Sequence, residues 1–453
     1  MLAGASRARA VLAITCAGIA VFAAILALQW ERFPGGAFED DAYFYAVIQQ
    51  RILAGDGVSF DGLRPTNGFH LLWMGWLASV GGVLQVLGAA HAAAFVVAVC
   101  LPLVPLLRLP PGTFALALVA AYFCGPGMEG IAAGLLLALL VASLERRGPL
   151  ALGALSAALI LARFDLAPVA IGLALWRRSG GRPGGGAILA GTALGLALSA
   201  VGHLWLAGIP VPVSALVKSG WLSVASPATA ADLLRSAVTE PGNLVRLAIW
   251  ATALSALALS APRGPLGHPI PHVLAALWLL GHAVLHPLRD WYWAVPVMLA
   301  VVGSGLARPP QWATPVAVLM VAGGVGAAAL HWHRSTPARA ELAAVLARIE
   351  ATVPAGAPIL VPDGAGFVAQ RLYPRPVVNG DGLVNDVAWA RRSLDPDWTA
   401  ARLREDGVRY LLTPEGLGPR PRPGLACAGR PHGPPAGAHV LWRLDRPIAC
   451  VRR

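Results

Sequence analysis

The sequence predicts a mainly α-helical membrane protein, a polytopic bundle of about 11 spanning helices followed by a small C-terminal α/β domain. Of its 453 residues, 57% are hydrophobic and only 13% are charged, and the mean hydropathy is +0.64. A soluble domain carries about 25% charged residues, because its surface must face water. This composition excludes soluble enzymes and soluble binding proteins as descriptions of the whole chain.

The first apolar run extends from Val11 to Leu28 and follows two arginines, Arg7 and Arg9. It is long enough to cross a bilayer. No small-residue cleavage site comes after it, since the next four residues are Gln, Trp, Glu and Arg. We therefore predict an uncleaved spanning helix whose N-terminus lies in the cytoplasm.

Arginines at the ends of the later apolar runs set the predicted topology. Cytoplasmic loops are enriched in Lys and Arg, and the residues used are Arg108, Arg146, Arg147, Arg177, Arg178, Arg182, Arg263 and Arg308. With these inside, and with segment 70–86 lying in the interface, the C-terminal domain lies outside a bacterial inner membrane. The net charge of +12 reflects this bias, and no basic stripe with interleaved aromatics predicts nucleic-acid binding.

The predicted division is a membrane domain over residues 1–334, with a first extracytoplasmic loop over 31–69, and a soluble α/β domain over 335–453. The tail is rich in Arg, Pro and Gly and has only short apolar stretches. Its predicted elements are helices over 338–351 and 398–405 and strands over 358–361, 377–379, 409–412 and 440–443. Because an oxidising compartment favours paired thiols, Cys427 and Cys450 are expected to form a disulfide.

Half of the twelve acidic residues of the membrane domain lie in the first loop, namely Glu31, Glu39, Asp40, Asp41, Asp56 and Asp61. Asp40 and Asp41 precede apolar residues at helical spacing, which predicts an amphipathic helix on the membrane surface. One aspartate is enough to cap that helix. The second is expected to act as a general base or to hold a cation. Further donors and acceptors near these acids are Thr66, Asn67 and His70.

Three basic residues are candidates for binding a phosphate. Lys218 is the only lysine, since the other 34 of the 35 basic residues are arginines. A lysine kept against this bias suggests that the site needs a compact positive charge, such as one that binds a phosphate. Arg163 and Arg289 lie at predicted outer helix ends, where helix capping, headgroup contact and substrate phosphate binding all remain open. No Cys or His spacing fits a metal site, so no metal ligand or cofactor is predicted, and a divalent cation is left open.

Several segments resemble one family of membrane enzymes. Asp40–Tyr43, Gly55–Gly57, Phe60–Gly62 and Thr66–Trp73 are similar to the first periplasmic loop of GT-C superfamily glycosyltransferases, in particular the branch with mycobacterial terminal arabinofuranosyltransferases. Three further segments resemble motifs of the same family: Gly127–Glu129, Arg163–Asp165 and Asp381–Asn385. Phe164 replaces the usual proline of the second motif.

The resemblance implies transfer of a sugar from a polyprenyl-phosphate donor to a glycan, lipid or protein acceptor at the outer face. It implies Asp40 or Asp41 as the base on the acceptor hydroxyl and Glu129 as a second acid in the same cavity. The substrate-binding residues expected beside them are Tyr43, Thr66, Asn67, His70, Arg163, Lys218 and Arg289. The sugar, the acceptor and the anomeric outcome are not predicted.

Two other functions are compatible with the composition. A transporter or flippase of lipid-linked sugars would also be polytopic, but it usually has repeated halves and charges in several spans. Here we find no internal repeat, and the acids cluster in one loop. The third alternative is a noncatalytic envelope assembly protein that uses its tail as a binding domain.

Overall fold

The computed structural model describes residues 2–34, 36–222, 270–285, 290–306, 333, 335–362, 364–392, 395–414, 425–427, 430–431, 439–444 and 450–452. Before the tail it is helical, as predicted, with α1 Leu2–Gln29, α2 Asp40–Ala54, α3 Leu71–Val86, α4 His91–Cys100, α5 Pro111–Phe123, α6 Glu129–Ser143, α7 Pro149–Ala162, α8 Ala167–Ser179, α9 Gly185–Ala207, α10 Val213–Leu222, α11 Ile270–Leu285 and α12 Asp290–Leu306. Short 3-10 segments cover Leu101–Arg108 and Phe164–Leu166.

Two helices in the described ranges are long and apolar enough to cross a membrane, Leu12–Gln29 within α1 and Gly185–Ala207 in α9. Other apolar helices, such as α6 and α7, are shorter than the roughly 20 residues of a full span. The count of about 11 spans therefore stays a prediction.

Helices α7 and α9 pack closely because small residues line their contact. A Cβ placed on Gly195 would lie 2.9 Å from the carbonyl oxygen of Ala157. Ser156 of α7 is buried in the same contact, where its Oγ lies 2.8 Å from Thr192 Oγ1 and 3.1 Å from the Ile188 carbonyl oxygen. Close backbone approach and buried hydroxyl pairs thus join these two helices.

Helix α2 lies where the sequence predicts it, but it is not a surface helix. Residues 42–49 are all buried, so no broad face is left for lipid headgroups. One side meets α3, where Gln49 Nε2 donates to the Leu77 carbonyl at 2.5 Å. The other side meets the tail, where a Cβ on Gly366 would lie 3.0 Å from the Phe44 ring. Helix α2 is therefore enclosed between α3 and the tail and does not lie on the membrane surface.

The tail is a mixed α/β unit. Its helices are α13 (335–352), α14 Ala365–Leu372, α15 Val387–Arg392 and α16 Pro396–Glu405, and its strands are β1 Ile359–Val361, β2 Val377–Asn379, β3 Tyr410–Pro414, β4 Leu425–Cys427, β5 Arg430–Pro431, β6 His439–Arg443 and β7 Cys450–Arg452. The strand order is β2-β1-β3-β6-β5, with β2, β1 and β3 parallel and the others antiparallel. All four predicted strands are confirmed to within two residues. β4 and β7 form a second, two-stranded sheet.

The tail packs directly against the first loop. Arg64 Nη2 lies 2.8 Å from a Glu405 oxygen and 2.9 Å from an Asp406 oxygen. The buried Thr66 hydroxyl donates to the carbonyl of Asn385 at 3.0 Å. Charged and polar groups of the loop thus find partners in the tail, and the division into two domains at residue 335 stays a prediction.

Candidate active site

A pocket lies where the start of α2, the end of the first loop, the start of α6, α10 and a turn of the tail meet. Its walls and open mouth enclose about 480 Å³. The residues that line it are Asp41, Phe44, Tyr45, Ile48, Gly68, Phe69, His70, Met128, Glu129, Arg163, Ser214, Lys218, Leu383 and Val384. Of the residues predicted for the site, the structure brings Asp41, His70, Glu129, Arg163 and Lys218 together here.

The local backbone explains how Glu129 and Arg163 reach the pocket. Glu129 is the first residue of α6, so its side chain lies at the end of that helix, next to the pocket. Gly127, just before it, has φ of +90°, and a Cβ there would lie 2.8 Å from the Ala42 Cβ; only glycine fits this approach. Arg163 follows α7 in an extended conformation, which turns its side chain away from the helix axis.

Glu129 and Arg163 form a buried ion pair at the base of the pocket. Arg163 Nη1 lies 3.1 Å from Glu129 Oε1, and both side chains are only 3% exposed. The other carboxylate oxygen accepts a hydrogen bond from the Tyr45 hydroxyl at 3.0 Å. His70 Nε2 lies 3.5 Å from Glu129 Oε1. Burial lowers the pKa of His70, so its ring is neutral at pH 7. Both oxygens of Glu129 therefore have partners inside the protein.

Arg163 is held on two sides. Its Nε and Nη2 donate to Asp165 at 3.1 and 3.2 Å. Its guanidinium carbon lies 4.6 Å from the centre of the Tyr292 ring and 5.2 Å from that of Trp278, which adds cation–π attraction. A side chain buried among these groups does not contact lipid headgroups, which removes one of the alternatives for this arginine.

Lys218 enters the pocket from α10. Its Nζ donates to the Tyr292 hydroxyl at 3.2 Å, which uses one of the three N–H donors of an ammonium group. Burial lowers the pKa of Lys218, but Tyr292 and the Asp41 carboxylate raise it by more, so the net shift is upward. The amine is therefore charged, and the charge of Asp41 acts on it.

Asp40 and Asp41 have different surroundings. The Asp40 carboxylate accepts the backbone N–H groups of Gly366 at 3.1 Å and Phe367 at 2.9 Å. It therefore caps α14 of the tail and not its own helix, whose N-cap residue Glu39 makes no side-chain cap bond. Burial raises the pKa of Asp40, and the two backbone donors oppose that rise. Asp41 lines the pocket.

Three residues expected to bind substrate face the protein interior instead. Tyr43 is fully buried, and its hydroxyl donates to the Trp30 carbonyl at 2.7 Å. Thr66 binds the tail, and the amide of Asn67 binds backbone atoms on both sides of Pro212. Their polar atoms are bonded within the protein in this structure, and a role for these residues in binding substrate stays a prediction. Arg289 lies outside the described residues.

Sequence reasoning missed several groups that shape the site. Tyr45 and Tyr292 hold Glu129 and Lys218, and they are two of only six tyrosines in the chain. That scarcity was the one available signal. Asp165 was noticed only as part of a motif. The wall formed by Leu383 and Val384 carries no chemical signal, because apolar residues are common throughout this sequence.

Within the described ranges, no three His, Cys, Asp or Glu side chains are arranged to hold a metal ion. The divalent cation stays an open expectation. The charged groups in the pocket are the Asp41 carboxylate, the Lys218 ammonium group and the ion pair between Glu129 and Arg163.

No protein-family model and no curated sequence matches the chain. Solved structures that align with this chain include ArnT from Cupriavidus metallidurans bound to undecaprenyl phosphate, with 14% identity, 96% of this chain and 98% of that chain covered, and a TM-score of 0.49. The apo state of the same protein aligns with 12% identity, 94% of this chain and 98% of that chain covered, and a TM-score of 0.45. Another is the archaeal oligosaccharyltransferase AglB from Archaeoglobus fulgidus in complex with an inhibitory peptide and a dolichol-phosphate (10%, 83%, 65%, 0.43), so the chain spans 65% of the length of AglB. The function of this chain is argued from its own site residues.

Proposed function

We propose that this chain is a membrane glycosyltransferase of GT-C type that moves a sugar from a polyprenyl-phosphate donor to a hydroxyl of a cell-envelope glycan, lipid or protein. The observation that carries the proposal is the pocket shared by Asp41, Lys218 and the Glu129–Arg163 pair. Glycosyl transfer from a phosphate to a hydroxyl needs a base for the hydroxyl and a cation for the departing phosphate. Both kinds of group line this one pocket.

Asp41 is the proposed general base. Its carboxylate takes the proton of the acceptor hydroxyl while the acceptor oxygen bonds to the anomeric carbon of the sugar. The bond from that carbon to the phosphate oxygen breaks, and polyprenyl phosphate leaves with the bonding electrons. We favour Asp41 over Asp40 because the Asp40 carboxylate is occupied by the two backbone N–H groups of α14.

Lys218 is the proposed cation for the departing phosphate. An ammonium group is a compact charge with three rotatable donors, which suits a phosphate whose oxygens change position during the reaction. One of those donors meets Tyr292. The charge of Arg163, in contrast, is already balanced by Glu129 and Asp165.

The proposed role of Glu129 is to hold Arg163 in the pocket wall. Its oxygens already meet Arg163 and Tyr45, so taking the acceptor proton would disrupt a buried ion pair. Paired with Glu129 and Asp165, Arg163 forms a rigid part of the pocket wall. His70, neutral and next to Glu129, completes this wall.

The proposed location is the inner membrane, with the pocket at its outer face. The apolar composition and the two long apolar helices support an embedded protein. The first loop follows one crossing from a cytoplasmic N-terminus, so the pocket and the tail that covers it belong to the outer side. A lipid-linked donor would then enter the pocket from the bilayer.

The proposal is tested by incubating purified protein in lipid vesicles with radiolabelled polyprenyl-phosphate sugars and candidate hydroxyl acceptors. A transferase releases free polyprenyl phosphate only when acceptor is present, and Asp41→Asn stops that release. A flippase would move the intact lipid across the vesicle without cleaving it. Movement without cleavage, or no reaction with any donor, would overturn the proposal.

The assignment of Lys218 has its own test. Lys218→Arg keeps the charge but replaces the compact ammonium group by a planar guanidinium group. We expect weaker binding of undecaprenyl phosphate, measured by titration of the purified protein. Lys218→Ala should weaken binding further, by about tenfold or more. Unchanged affinity in both variants would remove Lys218 from the donor site.

A further inference from the structure

We infer that Asn67 is a positioning residue that sets the location of Lys218. The inference rests on the proposed role of Lys218 in binding the donor phosphate. The Asn67 side chain is fully buried. Its Nδ2 donates to the Val211 carbonyl at 3.1 Å, and its Oδ1 accepts the backbone N–H of Val213 at 3.0 Å. Both ends of one amide thus hold the chain on both sides of Pro212.

These two bonds fix the beginning of α10. Val213 is the first residue of that helix, and the first N–H groups of a helix have no partner within it. The partner of this one comes from the first loop, 146 residues earlier in the chain. Lys218 follows Val213 by five residues, about 7.5 Å along the helix axis at 1.5 Å per residue. A shift at Val213 is therefore carried to the ammonium group.

The same loop segment also forms part of the pocket. Gly68, Phe69 and His70, directly after Asn67, line its wall. Asn67 therefore joins two walls of the pocket, the loop and α10. No interaction within α10 itself can set this separation, because the loop and α10 are distant in sequence.

The chemistry of the amide makes this link specific. Asn67→Ala leaves a buried N–H and a buried C=O without their partner, which is more costly than the loss of an exposed hydrogen bond. Asn67→Asp keeps an oxygen for the Val213 N–H but turns a second oxygen toward the Val211 carbonyl. Asn67→Asp therefore removes one of the two hydrogen bonds, and Asn67→Ala removes both.

The test is a double-mutant cycle on the affinity of the full-length protein for undecaprenyl phosphate. We expect Asn67→Ala to weaken binding by about tenfold. In a Lys218→Ala background the same change should have little further effect, since the group being positioned is absent. Ser156→Ala, which removes a buried hydroxyl from the α7–α9 contact, is the matched control and should leave the affinity unchanged.

Hydrogen exchange of the backbone amides of residues 213–218 gives a readout that does not depend on ligand. We expect faster exchange there in Asn67→Ala, with Asn67→Asp intermediate. If Asn67→Ala does not fold, Asn67→Asp in the same cycle decides the question. The inference would be overturned if the amides of residues 213–218 exchanged in Asn67→Ala at the wild-type rate. It would also be overturned if the effects of the Asn67 and Lys218 substitutions on affinity were additive. An unchanged affinity in Lys218→Ala, with altered exchange in Asn67→Ala, would instead reject the proposed role of Lys218.

Discussion

At the residue scale, the two adjacent aspartates of α2 perform different tasks. Asp40 caps a helix of the tail, and Asp41 lines the pocket. Successive residues of a helix point in directions about 100° apart, so the two carboxylates cannot share one environment. The loss of either charge should therefore have a distinct consequence.

We expect Asp41→Asn to abolish sugar transfer while thermal unfolding stays close to that of the unmodified protein. Asp40→Asn should keep transfer but lower stability by about 1 kcal/mol, because an amide is a poorer partner for the N-terminal end of α14. Turnover assays and unfolding curves on the same preparations measure both effects. Near-normal turnover in Asp41→Asn would show that the base lies elsewhere.

The buried pair of Glu129 and Arg163 gives the second prediction at this scale. Glu129→Gln leaves the Arg163 charge paired with Asp165 alone, so we expect a cost of about 1.5–3 kcal/mol, that of a lost hydrogen bond to a charged group. The control is Glu31→Gln. Glu31 lies 3.3 Å from Arg371, and both side chains are about half exposed, so the expected loss is below about 1 kcal/mol. Equal effects in the two variants would mean that water reaches the Glu129 pair.

At the scale of elements, the small sheet of β4 and β7 bears on the expected disulfide. Cys427 and Cys450 are directly opposite each other in this antiparallel pair. Residues in such positions have Cα atoms about 4.5–5.5 Å apart, within the range that a disulfide spans. The backbone register thus supports an expectation that rested only on compartment and cysteine position.

We expect a bridge between these cysteines, which would stabilise the tail by about 3 kcal/mol in the chain-entropy account. The measurement is thiol labelling of intact cells with a membrane-impermeant reagent, before and after reduction, in a protein with Cys16, Cys100 and Cys124 replaced by Ala. Labelling should appear only after reduction, whereas Cys427→Ser should expose one reactive thiol at once. Two thiols that stay inaccessible throughout would place the tail in the cytoplasm and reverse the topology.

At the scale of the whole molecule, the tail forms part of the pocket. Leu383 and Val384 line it, while Asp40 and Thr66 bind the tail backbone from the first loop. Catalysis by the first loop should therefore depend on how closely the tail approaches it.

We expect Gly366→Ala to separate the tail from α2, because a Cβ there would collide with the Asp40 carbonyl oxygen. The change should lower stability by about 1–3 kcal/mol and reduce turnover. Gly356→Ala is the control, since a Cβ at Gly356 has no atom within 4 Å and should leave both unchanged. Unfolding curves and transfer assays on both variants measure the changes in stability and turnover. Wild-type turnover in Gly366→Ala would mean that close docking of the tail is not needed.

Much of the site was predictable because charges stand out in an apolar sequence. Lys218, Arg163 and Asp41 were identified by type and position, Glu129 was implied by the family resemblance, and all four line one pocket. Their roles were less predictable, since a carboxylate that holds an arginine and one that takes a proton look the same in sequence. Tyr43 and Asn67 illustrate a related point, since a polar group near a site can bond within the protein as readily as to substrate.

The sequence by itself determined the helical class, the positions of the tail strands and the set of charged residues, because periodicity, turn residues and rare charges are local properties of the chain. Only the tertiary structure decided that Asp40 caps α14, that α2 is buried, and that Asn67 holds the start of α10. Each of these depends on contacts between segments more than 100 residues apart. Such contacts follow from packing and from the need of buried polar groups for partners, and neither can be read from neighbouring residues.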